Sequence, residues 1–123
     1  MSLSISEMSK KKDIKKVVNQ KIVPLLARQK VAFWGAGDIL DMIVNDGGLN
    51  TKDIDLLVDS SLGDSKHKKY NIHIQKPEVL CIYEPNIVIV LASSSEEEIA
   101  KRANKFGVRH VLRFSELLEQ VRI

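Results

Sequence analysis

The sequence of 123 residues predicts an α/β fold of three layers: a doubly wound, mainly parallel five-stranded sheet with an added N-terminal helix. Two observations predict it. Short apolar runs alternate with amphipathic stretches from residue 31 onward, and residues 87–92 form a continuous, mostly β-branched run. Such alternation with short connections is typical of strand–helix–strand units, and a continuous apolar run is typical of a central parallel strand covered on both faces. Right-handed crossovers then favour the strand order 3-2-1-4-5.

The first 30 residues predict a basic helix, because they hold eight lysines and arginines against two acidic residues. Its apolar stripe has helical spacing and consists of Ile14, Val17, Val18 and Ile22. No aromatic residue is interleaved with the lysines to stack on bases, so a solvated helix face is favoured over nucleic-acid binding. Pro24 predicts either the end or a kink of this helix, or the start of a second short one. We therefore divide the chain into a basic helical extension, 1–30, and a domain, 31–123.

The first half of that domain predicts a strand, a helix and a second strand. Residues 31–34 form a short apolar strand that runs directly into Gly35-Ala36-Gly37. An amphipathic helix follows, and Gly47-Gly48 ends it. Residues 54–58 predict the second strand, and the polar, glycine-containing residues 60–70 predict a loop.

The second half continues the alternation. Residues 71–74 predict a short edge strand, and Lys76-Pro77-Glu78 opens a turn of helix. After the central strand, three serines each precede a glutamate by three positions, which is the spacing of a capping box at a helix start. Residues 108–112 predict the last strand, and Ser115 the cap of a final helix.

A ligand crevice is expected between the first and fourth strands, because ligands of open parallel sheets bind beyond the carboxyl ends where the strand order reverses. Gly35 permits a tight turn, and Gly37 leaves the following helix amides open to a phosphate. Asp59 follows the second strand, at the position where a carboxylate in dinucleotide-binding folds accepts hydrogen bonds from ribose hydroxyls. Leu40 occupies the third-glycine position and Asp38 adds a negative charge, so a compact turn without a ligand stays an alternative.

Other chemistry has less support in the sequence. The three histidines share no metal-ligand spacing with Cys81 or with one another, so no metal site is predicted. No serine lies in a nucleophile elbow, and no catalytic residue is assigned. Asp38 and His73 are the only candidate proton-transfer groups.

The composition, 44% hydrophobic and 28% charged with a net charge of +3, is that of a globular protein. The longest apolar run, residues 87–92, is far shorter than the roughly 20 residues that span a bilayer. The first residues lack the apolar stretch of a signal peptide, and a single cysteine fits a reducing compartment. We expect a cytoplasmic protein with no membrane partner.

Several segments, taken together and in order, resemble the Rossmann-like C-terminal domain of sugar C-methyltransferases. They also resemble related modules fused to sugar-modifying methyltransferases, glycosyltransferases and acyltransferases. The segments are residues 33–37, 56–60, 72–80, 85–91 and 98–99. The chain departs from the pattern at Ser60-Ser61, where the family often has Asn-Pro, and at Asp38-Ile39-Leu40, where it tends to have a lysine or a further glycine.

The resemblance implies a nucleotide-binding fold that helps to enclose a nucleotide-sugar, while the methyl-donor and metal sites belong to other domains. The residues expected at the ligand are Gly35, Ala36, Gly37, Asp38, Asp59, Ser60, His73, Ser93, Ser94 and Ser95. The leading hypothesis is a nucleotide- or nucleotide-sugar-binding module, accessory to a sugar-modifying enzyme, with a partner enzyme domain or a homodimer as its assembly. The alternatives are a small dimeric enzyme using S-adenosylmethionine or NAD(P), and a structural or assembly domain with a vestigial crevice.

Overall fold

A computed structural model describes residues 10–122. The first nine residues of the predicted N-terminal extension, and Ile123, lie outside the described residues.

The centre of the fold is a mainly parallel sheet in which β1 has neighbours on both sides. β2 and β5 flank β1, and all pairs among β4, β2, β1, β5 and β6 are parallel. The strands are β1 (Val31–Trp34), β2 (Leu56–Val58), β3 (Ser65–Lys66), β4 (His73–Gln75), β5 (Ile87–Val90) and β6 (His110–Arg113). β1, β2 and β5 are buried throughout, as expected for strands covered by helices on both faces.

The sheet has six strands in the order β3-β4-β2-β1-β5-β6, which differs from the predicted five-strand order 3-2-1-4-5. The difference is β3, which lies in the predicted loop 60–70 and pairs antiparallel with β4. Asn71, in the connection between β3 and β4, adopts a positive φ angle, and so does Asp64 just before β3. As a consequence of the pairing with β4, β3, and not the strand that contains residues 73–74, forms the sheet edge. Two exposed polar residues carry no alternation from which a strand could be predicted.

Helices cover both faces of the sheet. The α-helices are α1 (Lys11–Lys16), α2 (Val23–Arg28), α3 (Asp38–Asn45), α4 (Leu80–Tyr83), α5 (Glu96–Lys105) and α6 (Phe114–Arg122), with 3-10 turns at Thr51–Asp53 and Pro77–Val79. Consecutive side chains of β1 lie on opposite faces of the sheet and belong to two different hydrophobic clusters. Phe33 packs with residues of the N-terminal helix, α3 and α6, whereas Trp34 packs with residues of α4 and α5.

The N-terminal helix contributes directly to the core. The predicted stripe is buried: Ile14, Val17 and Ile22 are 0% exposed and Val18 is 1% exposed. A π-helical segment, Val17–Ile22, joins α1 to α2, and the Val23 amide bonds the Val18 carbonyl five residues back. Pro24 then lies in the first turn of α2, and the π-helical segment before it keeps the chain helical from residue 11 to residue 28. α2 corresponds to the second short helix that was one of the predicted alternatives, although it continues directly from the π-helical segment.

Serine capping was predicted for the last two helices, and the structure does not show it. Ser95 precedes α5 in a left-handed conformation, and its side chain makes no capping hydrogen bond. α6 begins at Phe114, and the Ser115 amide and hydroxyl both donate to the carboxylate of Glu96, at 3.2 and 2.6 Å. Glu96 therefore satisfies donors of the neighbouring helix, a tertiary contact that local spacing cannot reveal.

Within residues 10–122, no helix combines the length and the apolar character needed to cross a membrane.

Candidate functional site

A crevice of about 260 Å³ opens at the carboxyl ends of β1, β2 and β5, where the sequence predicted it. Its walls come from the turn after β1, the first residues of α3, the end of β2 and the segment after β5. The lining residues are Trp34, Gly35, Ala36, Gly37, Asp38, Ile39, Asp59, Ser60, Ser61, Leu91, Ala92, Ser93, Ser94 and Ile99. Eight of the ten predicted ligand-binding residues thus line one crevice.

The other two predicted residues lie elsewhere. Ser95 precedes α5 and does not line the crevice. His73 lies on β4 and lines a separate depression with Asp64, Ser65 and Lys66. The structure therefore does not bring His73 together with Asp38, the other candidate proton-transfer group.

Gly35 is required by the packing of the turn itself. Its φ is +128°, a conformation that side chains rarely permit, and a Cβ there would collide with the carbonyl oxygen of Leu91. Its amide donates to the Val58 carbonyl at 2.9 Å. The turn after β1 is thus wedged between the ends of β2 and β5, whether or not a ligand is bound.

Gly37 differs in this respect. A Cβ built on it would meet nothing within 4 Å, and the residue is exposed at the mouth of the crevice. Gly37 is also the N-cap of α3, and no side chain caps that helix. Because the first amides of a helix have no partner inside it, the amides at this end of α3 are available to an anion. Asp38 contributes a negative charge to the same first turn.

Asp59 connects the walls of the crevice through backbone hydrogen bonds. Its Oδ2 accepts the Ala36 amide at 3.0 Å, and its Oδ1 accepts the amides of Ser61 and Leu62 at 2.8 and 3.1 Å. The carboxylate therefore holds the turn after β1 against the end of β2. Each carboxylate oxygen has two acceptor positions, so Oδ1 is filled and Oδ2 retains one.

Arg102 of α5 contacts two residues that line the crevice, Ser60 and Trp34, and sequence reasoning missed it. Its Nη1 donates to Ser60 Oγ at 2.7 Å, and its guanidinium carbon lies 5.1 Å from the centre of the Trp34 ring. Trp34 is 1% exposed and packs against Phe106, so it belongs to the core and also forms part of the crevice wall. No spacing in the sequence connects residues 34, 60 and 102.

A polar cluster fixes the hairpin segment after β2 onto α3. The Tyr70 hydroxyl donates to Asp41 Oδ1 at 2.5 Å, and the Tyr70 ring stacks on His67 with centroids 4.6 Å apart. Lys69 Nζ lies 3.4 Å from Asp41 Oδ2. Burial, the hydrogen bond to Asp41 and the charge of Asp41 together raise the pKa of Tyr70 to about 12.

This pKa gives an expected dependence on pH. Because the neutral phenol is favoured in the folded chain, Tyr70 contributes stability below its ordinary pKa of about 10, and that contribution is lost as the pH rises from about 10 to about 12. In an absorbance titration of tyrosinate, we expect Asp41→Asn to lower the pKa of Tyr70. Tyr70→Phe assigns the signal, because the pKa of Tyr83 is also raised by burial. An unchanged Tyr70 titration in Asp41→Asn would contradict the role of this hydrogen bond.

A larger depression, about 420 Å³, lies at the opposite edge of the sheet, beside the residues that precede β5 and β6. Cys81, Glu84 and Arg109 are among its lining residues. Ligands of parallel sheets bind at the carboxyl ends of the strands, so we assign the smaller crevice as the candidate site. Across the part of the chain that the structure describes, no three His, Cys, Asp or Glu side chains form a group that could hold a metal ion.

Comparison with protein-family models and with curated proteins gives no match for this chain. The architecture is compatible with a Rossmann-like fold, since it is an open, mostly parallel sheet with helices on both faces. The finer resemblance to the C-terminal domain of sugar C-methyltransferases depends on the sequence segments alone.

Proposed function

We propose that this chain is a nucleotide- or nucleotide-sugar-binding module that acts beside a sugar-modifying enzyme of the methyltransferase type. The observation that carries the proposal is the open, uncapped start of α3 at Gly37, located at the point where the strand order reverses. Helix amides in this position recognise phosphate through both their hydrogen atoms and the helix dipole.

The phosphate contacts are expected from the amides that follow the turn. The Gly35 and Ala36 amides already donate to Val58 and Asp59. The available amides therefore begin at Gly37 and continue into the first turn of α3.

The ribose contact is expected at Asp59, through the single acceptor position left on Oδ2. Its three backbone hydrogen bonds orient that oxygen at the crevice wall before a ligand arrives. One ribose hydroxyl can donate a hydrogen bond to Asp59 Oδ2 without displacing the backbone amides that hold the turn. Dinucleotide-binding folds use a carboxylate at this place in the same way.

A binding role is favoured over a small S-adenosylmethionine- or NAD(P)-dependent enzyme by the placement of the two candidate proton-transfer groups. Asp38 lines the crevice, but His73 lines the depression near β3. The proposed module would supply the nucleotide site, and a partner enzyme domain in the cytoplasm would supply the reacting groups.

A vestigial crevice in an assembly domain is the second candidate, and one observation favours it. Gly35 and Asp59, two residues of the expected motif, are both accounted for by hydrogen bonding and packing within the chain. The difference between the two candidates therefore lies at Gly37, which packing does not explain.

Calorimetry and thermal unfolding with nucleoside-diphosphate-sugars, S-adenosylmethionine, NAD and NADP test the proposal. A ligand at a concentration of about 100 times its Kd raises the free energy of unfolding by about 2.7 kcal/mol. For a chain of this size, that increase raises the Tm by about 10 °C. We expect one of these classes to do so, and we expect Gly37→Ala to weaken that ligand about tenfold because its methyl group occupies the phosphate approach. If none of them shifts the Tm or gives a binding heat, the vestigial crevice is the correct interpretation.

Asp38→Asn is expected to act in the opposite direction. It removes a carboxylate beside the proposed phosphate position, so we expect a phosphate-bearing ligand to bind about two- to fivefold more tightly at low salt. The gain should decrease as the ionic strength rises. Asp46→Asn, just after the other end of α3, is the matched control and should leave the Kd unchanged.

A further inference from the structure

We propose that Arg102 and Ser60 form a second anion subsite, so that the ligand carries a phosphoryl group in addition to the one at α3. The subsite rests on the proposed function in one respect: a nucleotide supplies the phosphoryl group. It is a separate site because its groups come from α5 and from the end of β2, whereas the first phosphate position is formed by the backbone of α3.

The guanidinium of Arg102 has unused hydrogen-bonding capacity. It makes one side-chain hydrogen bond, to Ser60, among the described residues, although a guanidinium has five N–H donors. Five ion pairs occur within residues 10–122, and none of them includes Arg102. Within residues 10–122, four donors and a full positive charge therefore have no side-chain partner and are open to a ligand.

The side chain is also held in place. Trp34 lies beneath the guanidinium at 5.1 Å, and Ser60 fixes one edge of the group at 2.7 Å. Contact with a buried indole face limits the conformations of a long arginine side chain and leaves its polar edges exposed. Less conformational freedom is then lost when an anion binds.

The location of Arg102 gives it access to the crevice. Trp34 and Ser60, the two residues it contacts, both line the crevice, as does Ile99 one turn earlier on α5. Ser60 directly follows Asp59, the expected ribose contact. A phosphoryl group at Arg102 is therefore either the second phosphate of a diphosphate chain or a monophosphate on the ribose.

Calorimetry with AMP, ADP and adenosine 2′,5′-bisphosphate separates these two sources. We expect the wild-type chain to bind one of the two-phosphate probes about tenfold more tightly than AMP. Arg102→Met retains a long side chain over Trp34 but removes the charge, so it should lose that preference and leave the affinity for AMP unchanged. Lys105→Met, on the same helix and also exposed, should behave like the wild type.

NMR of the Arg102 Nε–H signal during titration with inorganic phosphate tests the subsite without a nucleotide. A saturable shift is expected in the wild type and in Lys105→Met. If AMP binds but neither two-phosphate probe is preferred, or if Arg102→Met keeps the preference, the subsite is overturned while the proposed function stands. If phosphate shifts Arg102 but no nucleotide binds, the subsite stands and the proposed function fails. If phosphate does not shift the Arg102 signal and no nucleotide binds, both the subsite and the proposed function are overturned.

Discussion

Gly35→Ala is expected to destabilise the fold by about 4 kcal/mol. About 1–3 kcal/mol comes from forcing a side chain into the backbone conformation at φ +128°, and a similar amount comes from overpacking. The added methyl group would collide with the Leu91 carbonyl, which is backbone and cannot rotate away. Urea unfolding, followed by the fluorescence of the single tryptophan, Trp34, measures the loss.

Gly37→Ala is the matched control, two residues further along the same turn. Its Cβ would meet no atom within 4 Å, so we expect its free energy of unfolding to stay within about 1 kcal/mol of the wild type. Equal losses in the two variants would show that the turn does not have the described packing. The pair also separates folding from binding, because Gly37→Ala is the variant expected to lose ligand affinity.

Asp59→Ala is expected to lower the free energy of unfolding by about 3 kcal/mol. The substitution leaves three backbone N–H groups, those of Ala36, Ser61 and Leu62, without their acceptor. Hydrogen bonds to a charged group contribute about 1.5–3 kcal/mol each, and water at this half-buried position replaces part of the loss. Urea unfolding with Asp38→Ala as the control measures the effect.

Asp38 is an exposed carboxylate three residues from Gly35, and its removal should cost less than about 1 kcal/mol, the usual contribution of a charge at a helix start. Asp59→Asn should give an intermediate loss, because one amide oxygen still accepts while the NH₂ group faces donors. If Asp59→Ala were as stable as Asp38→Ala, the carboxylate would not be the connection between the two strand ends.

The parallel part of the sheet could be predicted because its central strands are buried on both faces. Residues 31–34 and 87–90 are apolar without interruption, and that pattern needs no knowledge of their partners. The apolar stripe of the N-terminal helix could be predicted for a similar reason, because its residues have helical spacing. β3 and the π-helical segment could not be predicted, because the first has two polar residues and the second depends on a hydrogen-bond shift of one residue.

The candidate site was predictable in position but not in detail. Parallel strands place their carboxyl ends at one edge, so the turn at Gly35, the end of β2 and the serines after β5 had to meet there. The hydrogen-bond partners of the side chains could not be predicted from the sequence. Asp59 bonds the backbone 23 residues earlier, and Arg102 bonds Ser60 at a separation of 42 residues. His73 was expected at the ligand, but the hairpin with β3 places it at a different depression.

Amide NMR of the ¹⁵N-labelled chain, titrated with the tightest-binding nucleotide or nucleotide-sugar, tests most directly whether an anion binds at the start of α3. We expect saturable shifts that are largest at the amides of residues 37–40 and smaller at Ala36, whose N–H is already bonded to Asp59. In Gly37→Ala these shifts should be suppressed. Saturable shifts confined to another surface, or no shifts with any nucleotide, would contradict anion binding at the start of α3.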